Sequence, residues 1–315
     1  MKPVLTITLN PAVDITYRLE HLQRGSVNRV AEVWRTPGGK GINVLRVLHA
    51  LGSSAINGTG FLAGNAGDWL ERTLTEGGVP FAPYRVTGET RSTIAIVTDS
   101  GPGVTELIEP GPFIGNSDAV GFLSHLESLL VPGQFVLLSG SQPKGLAENY
   151  VGTILQLARR VGCVTCVDAG GIVLRTAIAQ SPDIVKVNAA EFADWLGESR
   201  ELDAVELAQQ AKRLIVGDTK LVVVTMGSAG SIAISGKQGW LVGAPNINAV
   251  NPVGSGDAFF AGLAHGLASG RSLQDSLVEA AAAGASNAML TAAGCVSPDD
   301  VQQLSLSVTL TPLML

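Results

Sequence analysis

Cysteine is scarce in this chain, with Cys163, Cys166 and Cys295 the three among 315 residues. They cannot build a disulfide framework, and their scarcity fits a reducing compartment. Cys163 and Cys166 form a CxxC in GCVTCVDAGG. That segment reads as a strand, where residues three apart point to opposite faces, so two small buried residues are expected rather than a metal clasp. Histidine is nearly as rare, and His21, His49, His125 and His265 show no metal-ligand spacing. Lysine and arginine are scattered without a basic run, and the formal net charge is -6. The electrostatic footprint of a nucleic-acid binder is therefore missing. No uninterrupted apolar stretch is long enough to span a bilayer, and Asn10, Pro11 and Asp14 come too early for a signal-peptide core. These absences lead to the expectation of a cytoplasmic protein whose partners are small molecules.

What is present is glycine, 38 residues of it, in a chain 46% hydrophobic and 15% charged. Such a balance suits a buried parallel sheet joined by tight turns. PVLTITL reads as a central strand and GGKGINVLRVLHALG as a helix, with Ile42, Val44, Leu45, Val47, Leu48 and Leu51 on its apolar side. From Phe135 onward, FVLLSG, CVTCVDAG, DIVKVN and KLVVVTMG alternate with helical stretches, the pattern of a doubly wound sheet. DITYRL, VNRVAEVWR, STIAIVTD and VTELIEP are shorter and partly alternating, and are expected to form a small separate sheet. GSIAISGKQGWLVGAP reads as a hairpin, and helices are expected near 258–267 and 273–290. No repeat, low-complexity tract or long linker divides residues 1–315, which read as one domain.

Ligands of doubly wound sheets bind beyond the carboxyl ends of the strands. Four polar turns fall there: NPAVD, SGSQPKG, KVNAAE and TMGSAG. A fifth motif, NPVGSGDAFFAGL, puts Asp257 directly behind Gly254, Ser255 and Gly256 at a helix start. One reading is an acid stabilising the positive end of a helix dipole. The other is an anion-binding turn for a transferring phosphoryl group, with Asp257 taking a proton from the attacking hydroxyl. Asn188 and Glu191 have the spacing of a helix capping box, a role compatible with a further one. Lys40 opposes the dipole of its own helix and so calls for an anionic partner.

GGKGINV, NAAE and VGSGDAFFAG, in this order over nearly the whole chain, resemble the ribokinase-like (PfkB) carbohydrate kinases. TLNPAVDITY, VNRV, GETR, TELIEPGP and NPVGSGD are most similar to the branch holding the bacterial tagatose-6-phosphate kinases and 1-phosphofructokinases. The resemblance implies a three-layer α/β/α sandwich with a mostly parallel sheet and a small β-sheet lid, its strands at about 14–36 and 91–109. It also implies ATP, Mg²⁺ and a ketohexose phosphate as partners. Carried over to this sequence, Asp257 is the base and Gly254, Ser255 and Gly256 form the anion turn. Asp14, Gly38, Gly39, Asn43 and Ser141 bind the sugar, while Lys40 and Arg91 face the phosphate already on it. Lys186 and Asn188 face the nucleotide phosphates, with Glu191 toward the hydrated metal. Thr225, Gly227 and Gly230 border the nucleotide, and Asn287 is expected near the adenine.

The sequence departs from the family pattern at Val187, Gln142, Lys144, Ala169 and Gly170, of which Lys144 adds charge near the sugar turn. Kinases of unphosphorylated sugars or nucleosides, and an inactive sugar-phosphate-binding regulator, are the alternatives. A nicotinamide oxidoreductase is disfavoured because no G-x-G-x-x-G follows the first strand. Val33 and Ile94, apolar on the expected lid, suggest a homodimer through that sheet.

Overall fold

The computed structural model of the protein describes residues 1–98 and 104–313. Asp99, at the end of the expected lid strand STIAIVTD, and the last two residues of the C-terminal tail lie outside them. The first strand, β1 (Val4–Thr8), is buried along its whole length, as its uninterrupted apolar and threonine sequence requires. The chain then leaves through Asn10 into β2 (Ala12–Leu19) and β3 (Glu32–Gly38), and returns along α1 (Lys40–Ala50). Next come β4 (Ile56–Leu62), α2 (Gly64–Glu76), β5 (Phe81–Arg85), β6 (Arg91–Thr98), β7 (Val104–Ile108) and α3 (Asn116–Leu129).

The expected alternation follows: β8 (Phe135–Ser139), α4 (Tyr150–Val161), β9 (Val164–Asp168), α5 (Gly171–Ile178), β10 (Ile184–Asn188), α6 (Ala189–Leu196), α7 (Ala204–Lys212) and β11 (Leu221–Thr225). After a hairpin, β12 (Ser231–Ser235) and β13 (Gln238–Gly243), come α8 (Ser255–Ala268), α9 (Leu273–Ala288), α10 (Pro298–Ser305) and β14 (Thr309–Leu313).

Ten of these strands form one sheet, ordered β14-β13-β12-β11-β10-β9-β8-β1-β4-β5. The stretch from β11 to β5 is parallel, and the β12–β14 end is antiparallel. Alternate residues feed two cores. Phe135, Leu137, Cys166 and Val223 pack with α1, α8 and α9, whereas Val136, Leu138 and Val167 pack with α3 and α4 on the other face. That is the α/β/α sandwich expected from the motifs. Strands β3-β2-β6-β7 form the separate small sheet, with β2 parallel to β6.

Two details differ from expectation, and a third segment carried none. Helix α8 begins at Ser255, three residues before Ala258, because Gly254 takes the left-handed conformation at its N-cap (φ 83°). Residues 27–31 lie outside β3, and the strand extends to Gly38 instead. The tail, which carries no functional signal in the sequence, supplies the edge strand β14. Cys163 and Cys166 are free and buried, as expected. Among the described residues, no helix is long and apolar enough to cross a membrane.

Candidate functional site

The carboxyl ends of the parallel strands open onto a cavity of about 1110 Å³. Every expected site residue except Gly38 and Asn287 borders it. Strand alternation aims the side chains. Lys186 follows the same face of β10 as Ile184, which packs toward α8, and register places it beside Asp168 on β9. Lys186 Nζ donates to Asp168 Oδ2 at 2.9 Å, and both residues are buried. On the α8 side, a Cβ built at Gly256 would lie 2.9 Å from Lys186 Nζ. Only glycine at 256 lets the ammonium approach the first turn of α8 so closely.

Asp257 is the third residue of that turn, an acidic group at a helix N-terminus. Its Oδ2 accepts from Asn43 Nδ2 at 2.9 Å, so the neighbouring helix α1 holds the carboxylate. Burial pushes the Asp257 pKa up to about 7, and the negative charge of Asp168 adds to the effect. Lys40, Asn43 and Lys186 pull in the opposite direction. A carboxylate poised near neutrality, beside cations that attract phosphate, is equipped to accept a proton from a hydroxyl. In the same turn the Ser255 N–H is bonded to the Pro252 carbonyl at 3.1 Å. The amides of Gly256 and Asp257, which lack intrahelical acceptors, are thus the donors offered to an anion, and Ser255 departs from the expectation in this respect.

Lys40 opens α1 with no acid of its own helix nearby. Its partner is Glu191, whose Oε1 lies 2.9 Å from Nζ, with Asp168 Oδ1 at 4.0 Å. Burial alone would lower the Lys40 pKa, but Asp168, Glu191 and Asp257 together hold it above the usual lysine range. The anion that this lysine calls for is therefore already supplied by the protein. Glu191 also closes a capping box with Asn188: Asn188 Oδ1 accepts from Glu191 N at 2.7 Å, and Glu191 Oε2 accepts from Asn188 N at 3.3 Å. Capping and facing the cavity hold together in one side chain.

The small sheet covers the other end. Asp14 sits between Thr36 and Thr93 in register, and Thr93 Oγ1 donates to its Oδ1. Burial raises the Asp14 pKa, while Thr93, Arg46, the Gly39 N–H and Arg91 oppose the rise. Gly38 does not line the cavity; it clears space behind Asp14, whose carboxyl would collide with any Cβ there. Arg91 donates to the carbonyls of Asn10 at 3.3 Å and Glu109 at 3.4 Å. Burial lowers its pKa and the charge of Asp14 offsets part of that. Arg91 and Lys40 thus face different neighbours.

Two residues revise the sequence reading. Asn287, expected near the adenine, is fully buried and bonded entirely to backbone and to Ser255. Asp168 has no place among the expected site residues, yet it ties Lys186 and charges the surroundings of Asp257. An acid ending the apolar run CVTCVD just before two residues of turn was the available signal.

Comparison with known proteins places the chain in a family. The pfkB family carbohydrate kinase profile matches residues 7–300. A tagatose-6-phosphate kinase of Staphylococcus epidermidis is 36% identical over 303 residues, covering 96% of this chain and 97% of that protein. Phosphofructokinase-2 from Escherichia coli, in its complex with potassium, superposes with a TM-score of 0.91 at 23% identity, covering 98% and 99% of the two chains. A ribokinase from Thermotoga maritima, at 18% identity, covers 98% and 100% with a TM-score of 0.74. With its motifs, its sandwich and its buried acid behind a glycine turn, this chain belongs to the PfkB family of carbohydrate kinases.

Proposed function

We propose that the protein moves the γ-phosphoryl group of ATP to a primary hydroxyl of a ketohexose phosphate, tagatose 6-phosphate foremost and fructose 1-phosphate next. The observation that carries this reading is Asp257, buried behind the glycine turn that opens α8 and held there by Asn43 at 2.9 Å. Asp257 orients the acceptor hydroxyl and receives its proton as the new O–P bond forms. The Gly256 and Asp257 amides and the Lys186 ammonium offset the charge of the transferring group. Lys40, paired with Glu191 and 4.0 Å from Asp168, adds a second cation.

Mg²⁺ fits the residues present. Asp168 Oδ1 is buried without a hydrogen-bond partner, and Glu191 stands across Lys40 from it. Among the described residues no cluster of three acids, histidines or cysteines forms a protein-only cage. Mg²⁺ characteristically takes one or two carboxylates and completes its shell with water and phosphate. Glu191, which borders the cavity, would hold it, and when bound it would neutralise nucleotide phosphate oxygens.

Asp14 and Ser141 face the sugar, with Arg91 toward its existing phosphate. Thr225, Gly227 and Gly230 border the nucleotide. The small sheet acts as a lid that excludes water and so suppresses ATP hydrolysis. Val33, exposed on that sheet, supports the pairing of two lids in a homodimer.

A coupled assay with ATP and Mg²⁺ against tagatose 6-phosphate, fructose 1-phosphate, fructose 6-phosphate and the free sugars tests the reading. Preference for a ketohexose phosphate by at least about 10²-fold in kcat/KM supports it. Equal use of free and phosphorylated sugar overturns it in favour of a kinase for unphosphorylated substrates.

A further inference from the structure

Asn287 spends all of its hydrogen-bonding capacity beneath the catalytic turn. Its Nδ2 donates to the Val253 carbonyl at 2.8 Å and to Ser255 Oγ at 3.3 Å. Its Oδ1 accepts from the N–H groups of Gly294 at 2.9 Å and Cys295 at 3.3 Å. One amide on α9 therefore bridges the turn entering α8 and the loop 291–295. The two segments press together closely: a Cβ at Gly254 would lie 2.9 Å from Gly294 N, and one at Gly294 would strike Asn43 Oδ1 at 2.5 Å. Asn43 is the residue that holds Asp257. Two further side chains staple the same loop. Asn251 Nδ2 donates to the Thr291 carbonyl at 2.8 Å, and Arg46 NH1 donates to the Ala293 carbonyl at 3.0 Å.

We infer that Asn287 is a positioning residue for phosphoryl transfer, fixing the geometry of the anion-binding turn and, through Gly294 and Asn43, the seat of Asp257. The inference rests on the phosphoryl-transfer reading and assigns that site a brace outside it. Its physical basis is that donors aimed at a developing charge work only when held within a few tenths of an ångström, which a flexible Gly-Ser-Gly sequence cannot do unaided. A primary amide suits the place because it is both donor and acceptor, and the fully buried position admits no water to replace either arm. Asn287 does not border the cavity and reaches it only through Val253 and Ser255 of the turn, so its effect falls on the transition state rather than on substrate affinity.

The test compares Asn287→Ala, Asn287→Ser and Ser255→Ala with Tyr150→Phe, which removes a buried hydrogen bond to the Ala119 carbonyl on the opposite face of the sheet. Wild-type activity on a ketohexose phosphate is established first, and its absence would sink the functional reading before any variant is judged. With it in hand, Asn287→Ala lowers kcat about 10- to 100-fold and leaves KM for ATP and for the sugar phosphate within about threefold. Asn287→Ser, which keeps a smaller polar group, falls between that variant and wild type and serves alone where the alanine variant does not fold. Ser255→Ala, losing only the longest donor contact, gives a smaller loss of the same kind. Tyr150→Phe lowers Tm without a change in kcat. A kcat loss for the Asn287 variants no larger than that of Tyr150→Phe, or a rise in KM for ATP at unchanged kcat, overturns the inference.

Discussion

Lys186 bonds Asp168 at 2.9 Å and rests the same ammonium against Gly256, at a distance that leaves no room for a β-carbon. One ion pair on the sheet thus connects two strand ends to the helix that carries Asp257. Gly256→Ala forces only the tip of a flexible lysine to move, so the fold survives. The shifted charge leaves the transferring group less well stabilised, and kcat is expected to fall by about 10- to 10²-fold at near-constant Tm. Unchanged kcat would remove Lys186 from the phosphoryl site.

Asp257→Asn is expected to lower kcat by about 10² or more with ATP binding retained, the scale of general-base assistance. The pKa makes two pH predictions. In the wild type the rate falls as pH drops through about 7, because the base becomes protonated. Stability runs the other way. The folded pKa lies above the ordinary value of 3.8, so the unfolded carboxyl ionises first and folding carries a cost that is absent below pH 3.8 and complete above about 7. Asp257→Asn removes that cost, and Tm should rise more at pH 8 than at pH 5. Equal Tm changes at the two pH values would contradict the assigned pKa.

Glu191→Gln separates two roles in one side chain. The capping box survives in part, since a glutamine oxygen can still accept from Asn188 N, and the stability loss should stay near 1 kcal/mol or less. The Mg²⁺ concentration for half-maximal rate should rise several-fold if the carboxylate holds the ion, an estimate on the scale of a lost metal-site contact. A stability loss with an unaltered Mg²⁺ requirement would reduce Glu191 to a cap and a partner for Lys40.

Arg91→Ala tests substrate choice. Losing a charge-assisted bond to the substrate phosphate costs about 2 to 3 kcal/mol in kcat/KM for the sugar phosphate. KM for ATP should hardly change, and any trace activity on the unphosphorylated sugar should persist. Equal losses on tagatose and tagatose 6-phosphate would make Arg91 a support for the small sheet, through its bonds to Asn10 and Glu109.

The parallel sheet, the main helices and the small second sheet were legible in the chain because apolar periodicity is a local property. Asp257 behind its glycines and the Asn188–Glu191 box were legible for the same reason: each role is written within a few consecutive residues. Asp168 was not, because its importance comes from register, which sets it beside Lys186 from another strand 18 residues away. The partner of Lys40 was equally hidden, since Glu191 lies 151 residues along the chain and reaches it only where two strand ends converge. Asn287 shows the converse case, for the family resemblance implied a place near the adenine where packing buries the side chain among backbone partners. The sequence by itself determined the sandwich, the family and the place of Asp257 behind its glycine turn, because those depend on patterns along the backbone. Only the tertiary structure decided which charges face one another around that acid, and the pKa of about 7 follows from that burial and pairing.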